Sequence, residues 1–214
     1  MKYNNVLFDL DGTLTDPYLG ITNAVTYSLN KFNIIEEDDN KLKLFIGPPL
    51  EKSFMEYYNF NTNDAKTAIA YYREYFSEKG IYENKLYRGI LNVLKELNNK
   101  DINCIIATSK PETFANRILE YFHINNYFKY VAGSNLDGTL SEKEEIIKYI
   151  IEKYKLRKNK TIMVGDRKYD IIGAHKNAID AVGVLYGYGT KEEMEKEHPK
   201  YLCTHVEDLL KIIV

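Results

Sequence analysis

Residues 6–16 read VLFDLDGTLTD, an apolar run that stops abruptly in two carboxylates, Asp9 and Asp11. Val6, Leu7 and Phe8 predict a buried strand. Side chains two apart on a strand share a face, so Asp9 and Asp11 are expected to point at one site. Two nearby carboxylates repel, and one pKa rises unless a cation intervenes. The pair therefore signals either a proton-sharing couple or a metal site. Gly12 permits a sharp turn that brings backbone N–H groups close to an anion.

That strand needs partners, and residues 85–214 supply them. Short β-branched runs at 101–108, 127–133, 160–166, 180–186 and 201–206 alternate with amphipathic stretches at about 89–100, 112–123, 142–155, 169–177 and 206–213. Strand–helix repetition predicts an α/β fold, a Rossmann-like parallel sheet with helices on both faces. Residues 17–82 carry almost no strand signal. Asp16-Pro17 reads as an N-cap followed by proline at the first helical position. Leu19, Ile21, Val25, Leu29 and Phe32 follow at helical spacing, and TNDAKTAIAYYREYFSEKG is helical to Gly80. The expected division is thus a core of 1–16 and 83–214 with an inserted α-helical cap domain of 17–82.

Composition narrows the function. The 214 residues are 44% hydrophobic and 28% charged, with a net charge of −2 and interspersed signs. No basic face points to nucleic acid, and no apolar run approaches the roughly 18 residues of a membrane span. MKYNNVLFDL enters the first strand without the apolar region of a signal peptide. Cys104 lies in an apolar run far from Cys203. A cytoplasmic location is expected, with a monomer as the default and a dimer as the alternative. The many Tyr, Lys, Asn and Ile residues read as base-composition bias.

In open α/β sheets ligands lie beyond the carboxyl ends of the strands, and three further motifs fall there. IIATSKP ends in Thr108, Ser109, Lys110 and Pro111, at a helix N-terminus suited to anions. Lys143 lies in SEKE, where Ser141 and Glu144 form a capping-box pattern. IMVGDRKYD ends in Asp166, with Asp170 four residues on. Oxygen-only carboxylate ligands favour Mg²⁺ over zinc. His123, His175, His198 and His205 have no metal spacing. A nucleophilic Asp, a proton-moving Asp and a magnesium ion form a phosphoryl-transfer set. No Walker loop or glycine-rich nucleotide loop accompanies it, so removal of a phosphate is expected rather than use of a triphosphate donor.

These motifs, in this order and spacing, resemble the haloacid dehalogenase-like superfamily over essentially the full chain. DLDGT looks like its first motif, Thr108 its second, Lys143 its third and GDRKYD its fourth. FIGPPL, GSNLDGT and VGDRKYDIIGAHKNAIDAVGVLYGYG are similar to the phosphoglycolate phosphatase-like branch with a small helical cap, which also holds 5′-nucleotidases and pyrophosphatases. The resemblance implies that Asp9 attacks phosphorus and that Asp11 protonates the leaving oxygen, then activates water. It implies Mg²⁺ on Asp9, Asp11 (through its backbone carbonyl), Asp166 and Asp170. Leu10, Asp11, Thr108, Ser109, Lys143 and Lys110 would hold the phosphoryl group. The third-motif lysine often precedes a proline. Lys110-Pro111 does so here, which makes Lys110 the reserve candidate for the role of Lys143.

The expected activity is Mg²⁺-dependent hydrolysis of a small phosphate monoester, phosphoglycolate-like or a nucleoside monophosphate. A β-phosphoglucomutase-like sugar phosphomutase, an inorganic pyrophosphatase and a non-catalytic regulator are the alternatives. Asp11 argues against halide chemistry, since dehalogenase members lack that second aspartate. Specificity is expected from the cap, through Gly47 and Pro48 of the stiff GPP turn and through Arg73. Tyr71, Tyr72 and Tyr75 suit cap packing.

Overall fold

The computed structural model describes residues 2–214. The strands are β1 (Asn5–Phe8), β2 (Thr15–Asp16), β3 (Lys85–Leu86), β4 (Asn103–Pro111), β5 (Phe128–Ser134), β6 (Thr161–Gly165), β7 (Asp180–Val184) and β8 (Tyr201–Cys203). Six of them form one sheet in the order β5-β4-β1-β6-β7-β8, and β2 pairs with β3 separately. Every described pairing in the large sheet is parallel. The expected α/β fold is what the chain adopts. Strands of such a sheet are covered on both faces and read as continuous apolar runs, and all four residues of β1 are buried.

The chain divides into two compact units, Met1–Asp16 with Leu86–Val214, and Pro17–Lys85. In the second, α1 (Tyr18–Lys31), α2 (Asp39–Lys43), α3 (Leu50–Tyr58) and α4 (Thr62–Tyr75) are followed by a π-helical turn, Phe76–Gly80. Its core is aromatic: Phe45 packs edge-on against Phe54, and Phe54 stacks on Phe60. The expected cap at Asp16 is displaced by one residue. Pro17 itself is the N-cap of α1, and it offers no side-chain bond.

In the first unit α5 (Ile90–Asn99), α6 (Glu112–Tyr121), α7 (Lys143–Tyr154), α8 (Lys168–Lys176), α9 (Lys191–Lys196) and α10 (Asp208–Ile213) connect and cover the sheet. One core cluster joins Leu7, Ile105 and Met163 of the sheet to Ile146, Ile147 and Ile150 of α7 and Ile171 of α8. Each such side chain contributes about 1.5–3 kcal/mol on burial. Two boundaries differ from expectation. β4 runs past its expected end at Thr108 through Lys110 and Pro111, which pairs with Ser134, while α6 starts at Glu112 as expected. The N-cap of α7 is Glu142, with no side-chain cap bond, so the Ser141/Glu144 capping box does not form. Both cysteines are buried free thiols, and burial pushes Cys104 up to about 12. No helix among the described residues is long and apolar enough to cross a membrane.

Candidate active site

Register gathers the site. Phe8 of β1 sits beside Ile106 of β4 on one side and Val164 of β6 on the other. The residues that follow these three, Asp9, Ala107-Thr108 and Gly165-Asp166, emerge together at one sheet edge. This is where strand order reverses about β1, the place where open α/β sheets hold their ligands. The chain turns back at once, because the amides of Leu14 and Thr15 both donate to the Leu10 carbonyl. Gly12 takes φ +81° in this turn, and a Cβ there would lie 2.1 Å from Asp166 Oδ2. Only glycine allows DLDGT and Asp166 to approach this closely.

Lys143 binds the centre. Its Nζ lies 2.8 Å from Asp9 Oδ1 and 2.8 Å from Asp170 Oδ1, and it donates to the Ala107 carbonyl at 2.9 Å. Burial pulls its pKa down, but Asp170 and Asp9 outweigh burial and raise it, so it is always charged. As the first residue of α7 it has the helix dipole against it, and the two carboxylates explain why a cation stands there. Lys110 pairs elsewhere: its Nζ is 2.9 Å from Asp11 Oδ2. The two lysines therefore hold different acids.

Thr108 is buried, and its hydroxyl accepts from the Lys110 amide at 3.3 Å; Ser109 is half-buried beside it. The Leu10 amide, expected to face phosphate, here donates to Asp9 Oδ1 at 2.7 Å. Gly47 and Pro48 lie in the second unit, between α2 and α3, with Gly47 at φ +109°. Arg73 is on α4, half-buried, and burial lowers its pKa.

Three supports were not foreseen from sequence. Thr13 Oγ1 donates to Asp166 Oδ1 at 3.3 Å, and the Tyr188 amide donates to Asp166 Oδ2 at 2.8 Å. Glu193 of α9 accepts from both Arg167 Nε and the Lys168 amide, at 3.0 and 2.9 Å. It thereby pins the turn between Asp166 and Asp170. Backbone donors leave no trace in a sequence; the paired glycines of YGYG, residues 186–189, were the available signal.

The site is over-supplied with negative charge. Asp9, Asp11, Asp166 and Asp170 are all buried, and among the described residues Lys110 and Lys143 are the cations that pair directly with them. Fully ionised, they leave an excess of two negative charges, the charge of one divalent cation. Asp9, Asp166 and Asp170 each offer an oxygen within 4.8 Å of the others', and Asp11 Oδ1 is buried without a hydrogen bond. Hard oxygen donors with surplus negative charge fit a magnesium-like ion.

Without a cation, Asp166, Asp170 and Asp11 hold their protons more tightly than usual. Burial pushes Asp166 well above the usual carboxylate range, with Asp9 and Asp170 adding to the rise. Burial lifts Asp170 to about 6 against the pull of Lys143. Asp11 is raised by burial against the pull of Lys110.

Comparison with known proteins finds relatives over most of the chain. The family model of haloacid dehalogenase-like hydrolases matches residues 6–184. A 5′-nucleotidase of Pseudomonas aeruginosa is 40% identical, the match covering 100% of this chain and 96% of that protein. A tyrosine-protein kinase, PtkA of Mycobacterium tuberculosis, is 33% identical over 89% of this chain and 65% of its own length. The crystal structure of a predicted phosphatase from Clostridium acetobutylicum superposes with a TM-score of 0.97 at 50% identity, covering 100% of this chain and 99% of the other. The chain belongs to the haloacid dehalogenase-like hydrolase family.

Proposed function

We propose that this member of the family is a magnesium-dependent phosphatase that hydrolyses a small phosphate monoester, a nucleoside 5′-monophosphate, through a phosphorylated Asp9. The observation that carries the reading is the double ion pair: Lys143 on Asp9 and Asp170, Lys110 on Asp11. One lysine aims the nucleophile, and the other holds the proton carrier. The full-length likeness to a 5′-nucleotidase supports the nucleotide substrate. The likeness to a tyrosine-protein kinase is weighed against the absence of a Walker or glycine-rich nucleotide loop in this chain.

Asp9, the Asp11 carbonyl and Asp166 would hold the ion, with Asp170 supporting them. Bound there, Mg²⁺ would offset the crowded carboxylates and the charge of the phosphoryl oxygens. An Asp9 carboxylate oxygen attacks phosphorus and the bond to the ester oxygen breaks. That oxygen takes the proton of Asp11, whose raised pKa keeps it protonated further toward neutral pH. Asp11, now a carboxylate, accepts a proton from water as the water oxygen attacks phosphorus. The bond to Asp9 breaks, and inorganic phosphate leaves. Thr108, Ser109 and Lys143 steady the phosphoryl oxygens. Gly47, Pro48 and Arg73 of the inserted unit are assigned to the leaving group.

Phosphate release from nucleoside monophosphates, phosphoglycolate, pyrophosphate and glucose 1-phosphate, with Mg²⁺ and with chelator, tests this reading. Metal-dependent release, fastest from a nucleoside monophosphate, is expected. Isomerised sugar phosphate without release, or no release from any ester with metal bound, would overturn it. Asp11→Asn is expected to lower kcat by about 10²–10⁴-fold with metal affinity retained. A variant that keeps its kcat would remove Asp11 from proton transfer.

Metal binding is expected to release protons. A carboxyl whose pKa is higher folded than unfolded holds its proton more tightly in the fold. Its stabilising effect is complete below about pH 4 and is lost as pH rises, through about 6 for Asp170, with Asp166 shifted in the same direction. The metal-free protein should therefore lose stability over that range, and Mg²⁺ affinity should rise with pH as fewer protons must be displaced. Titration calorimetry in buffers of different ionisation heat reads this directly, and zero proton release near pH 6.5 would contradict it.

A further inference from the structure

The segment Tyr186–Gly189, YGYG, follows β7 and belongs to none of the catalytic motifs, yet it lies against the site at four points. The Tyr186 hydroxyl donates to the Thr13 carbonyl at 3.0 Å, and Thr13 in turn donates to Asp166. A Cβ at Gly187 would lie 2.3 Å from the Gly12 carbonyl oxygen and 2.4 Å from Asp166 Cβ. At Gly189 it would lie 2.1 Å from the Asp166 carbonyl oxygen. Between the two glycines, the Tyr188 amide donates to Asp166 Oδ2 at 2.8 Å and its phenol donates to Asp16 Oδ1. Burial and the Asp16 carboxylate both raise the phenol pKa, so the hydroxyl is always a donor.

We infer that Tyr188 is a positioning residue: its phenol, anchored on Asp16, fixes the backbone whose amide aims the Asp166 carboxylate. The inference rests on the reading of Asp166 as a metal ligand. The contacts around that carboxylate divide its work. Thr13 occupies one lone pair of Oδ1 and the Tyr188 amide occupies one of Oδ2. The remaining lone pairs, on a carboxylate with an oxygen within 4.8 Å of those of Asp9 and Asp170, are left for a cation. The glycines on either side remove the Cβ atoms that would keep the strap off Asp166, so rotamer packing alone does not hold the amide in place. The Tyr188 hydroxyl bond at the far end of the same side chain does, together with the Tyr186 hydroxyl on the Thr13 carbonyl. Asp16 is also the last residue before the inserted unit begins at Pro17.

The test is a double-mutant cycle read in Mn²⁺ affinity by electron paramagnetic resonance, with Asp166→Asn as the reference and circular dichroism as the folding check. Asp166→Asn should weaken Mn²⁺ binding by about 10–100-fold. Tyr188→Phe keeps the amide and the ring but loses the hydroxyl, and should weaken binding about fivefold, less than the roughly 10–100-fold typical of a partner bonded directly to a ligand, because it acts through the backbone. Asp16→Ala should weaken binding at least as much, and the double variant should lose no more than Asp16→Ala alone, because the bond to Tyr188 is already absent there. Asp16→Asn keeps an accepting oxygen and should bind like the parent. If Tyr188→Phe binds Mn²⁺ as the parent does, or if the two losses multiply, Tyr188 has no positioning role. If the parent itself binds no Mn²⁺, or Asp166→Asn binds as well as the parent, the metal reading falls and this inference falls with it.

Discussion

Lys143→Ala is expected to cost the metal-free protein about 3 kcal/mol or more of folding stability near neutral pH, and to lower kcat by about 10²–10³-fold or more. The ammonium is 4% exposed and makes three contacts, to Asp9, Asp170 and the Ala107 carbonyl. Its removal leaves two buried carboxylates facing each other without a cation. The pH dependence follows from how they escape: each neutralises itself by taking a proton. The stability deficit should be small in acid and grow as pH rises past the raised carboxylate values. Urea unfolding at pH 5 and pH 8 measures it. A deficit that is equal at both would mean that Lys143 packs rather than balances charge. Lys110→Ala is the control for division of labour, since it should leave the Asp9–Lys143–Asp170 bridge intact.

Asp9→Asn should behave in the opposite sense on stability. It removes one charge from a site that already holds four carboxylates against two lysines, and Lys143 keeps Asp170 as its partner. The metal-free variant is therefore expected to be as stable as the parent or more so, the pattern of a site that trades stability for function. Its kcat should fall by at least about 10⁴-fold, as for other nucleophile removals, because an amide cannot attack phosphorus. A folded Asp9→Asn protein that still turns over would exclude Asp9 as the nucleophile.

Much of this arrangement is written in the sequence because strand ends carry it. An apolar run closed by Asp9, another by Thr108 and a third by Asp166 is legible without a structure, and the parallel sheet brings such ends together. The alternation of strands and helices after residue 85 likewise predicted the fold, with ends off by a few residues. What was not legible depended on backbone or on tertiary choice. The Ser141/Glu144 pattern satisfied a capping rule that α7 does not use, since the chain needs Lys143 at its first turn for Asp9 and Asp170. The strand before α6 read as ending at Thr108, but β4 keeps Lys110 and Pro111 through pairing with Ser134. Which acid each lysine would take was open in the sequence and is set by rotamers across the sheet edge. The amide of Tyr188 was invisible, because any residue has one. Only the two glycines beside it hinted at a close approach.

The central claim is that phosphate passes through Asp9. Borohydride quenching during turnover, followed by peptide mass spectrometry, tests it most directly, since an acyl phosphate is reduced to an alcohol and a free carboxylate is not. Conversion of Asp9 to homoserine is expected, dependent on both substrate and Mg²⁺ and absent in Asp9→Asn. Rapid phosphate release with Asp9 unmodified, or reduction at Asp11 instead, would contradict it.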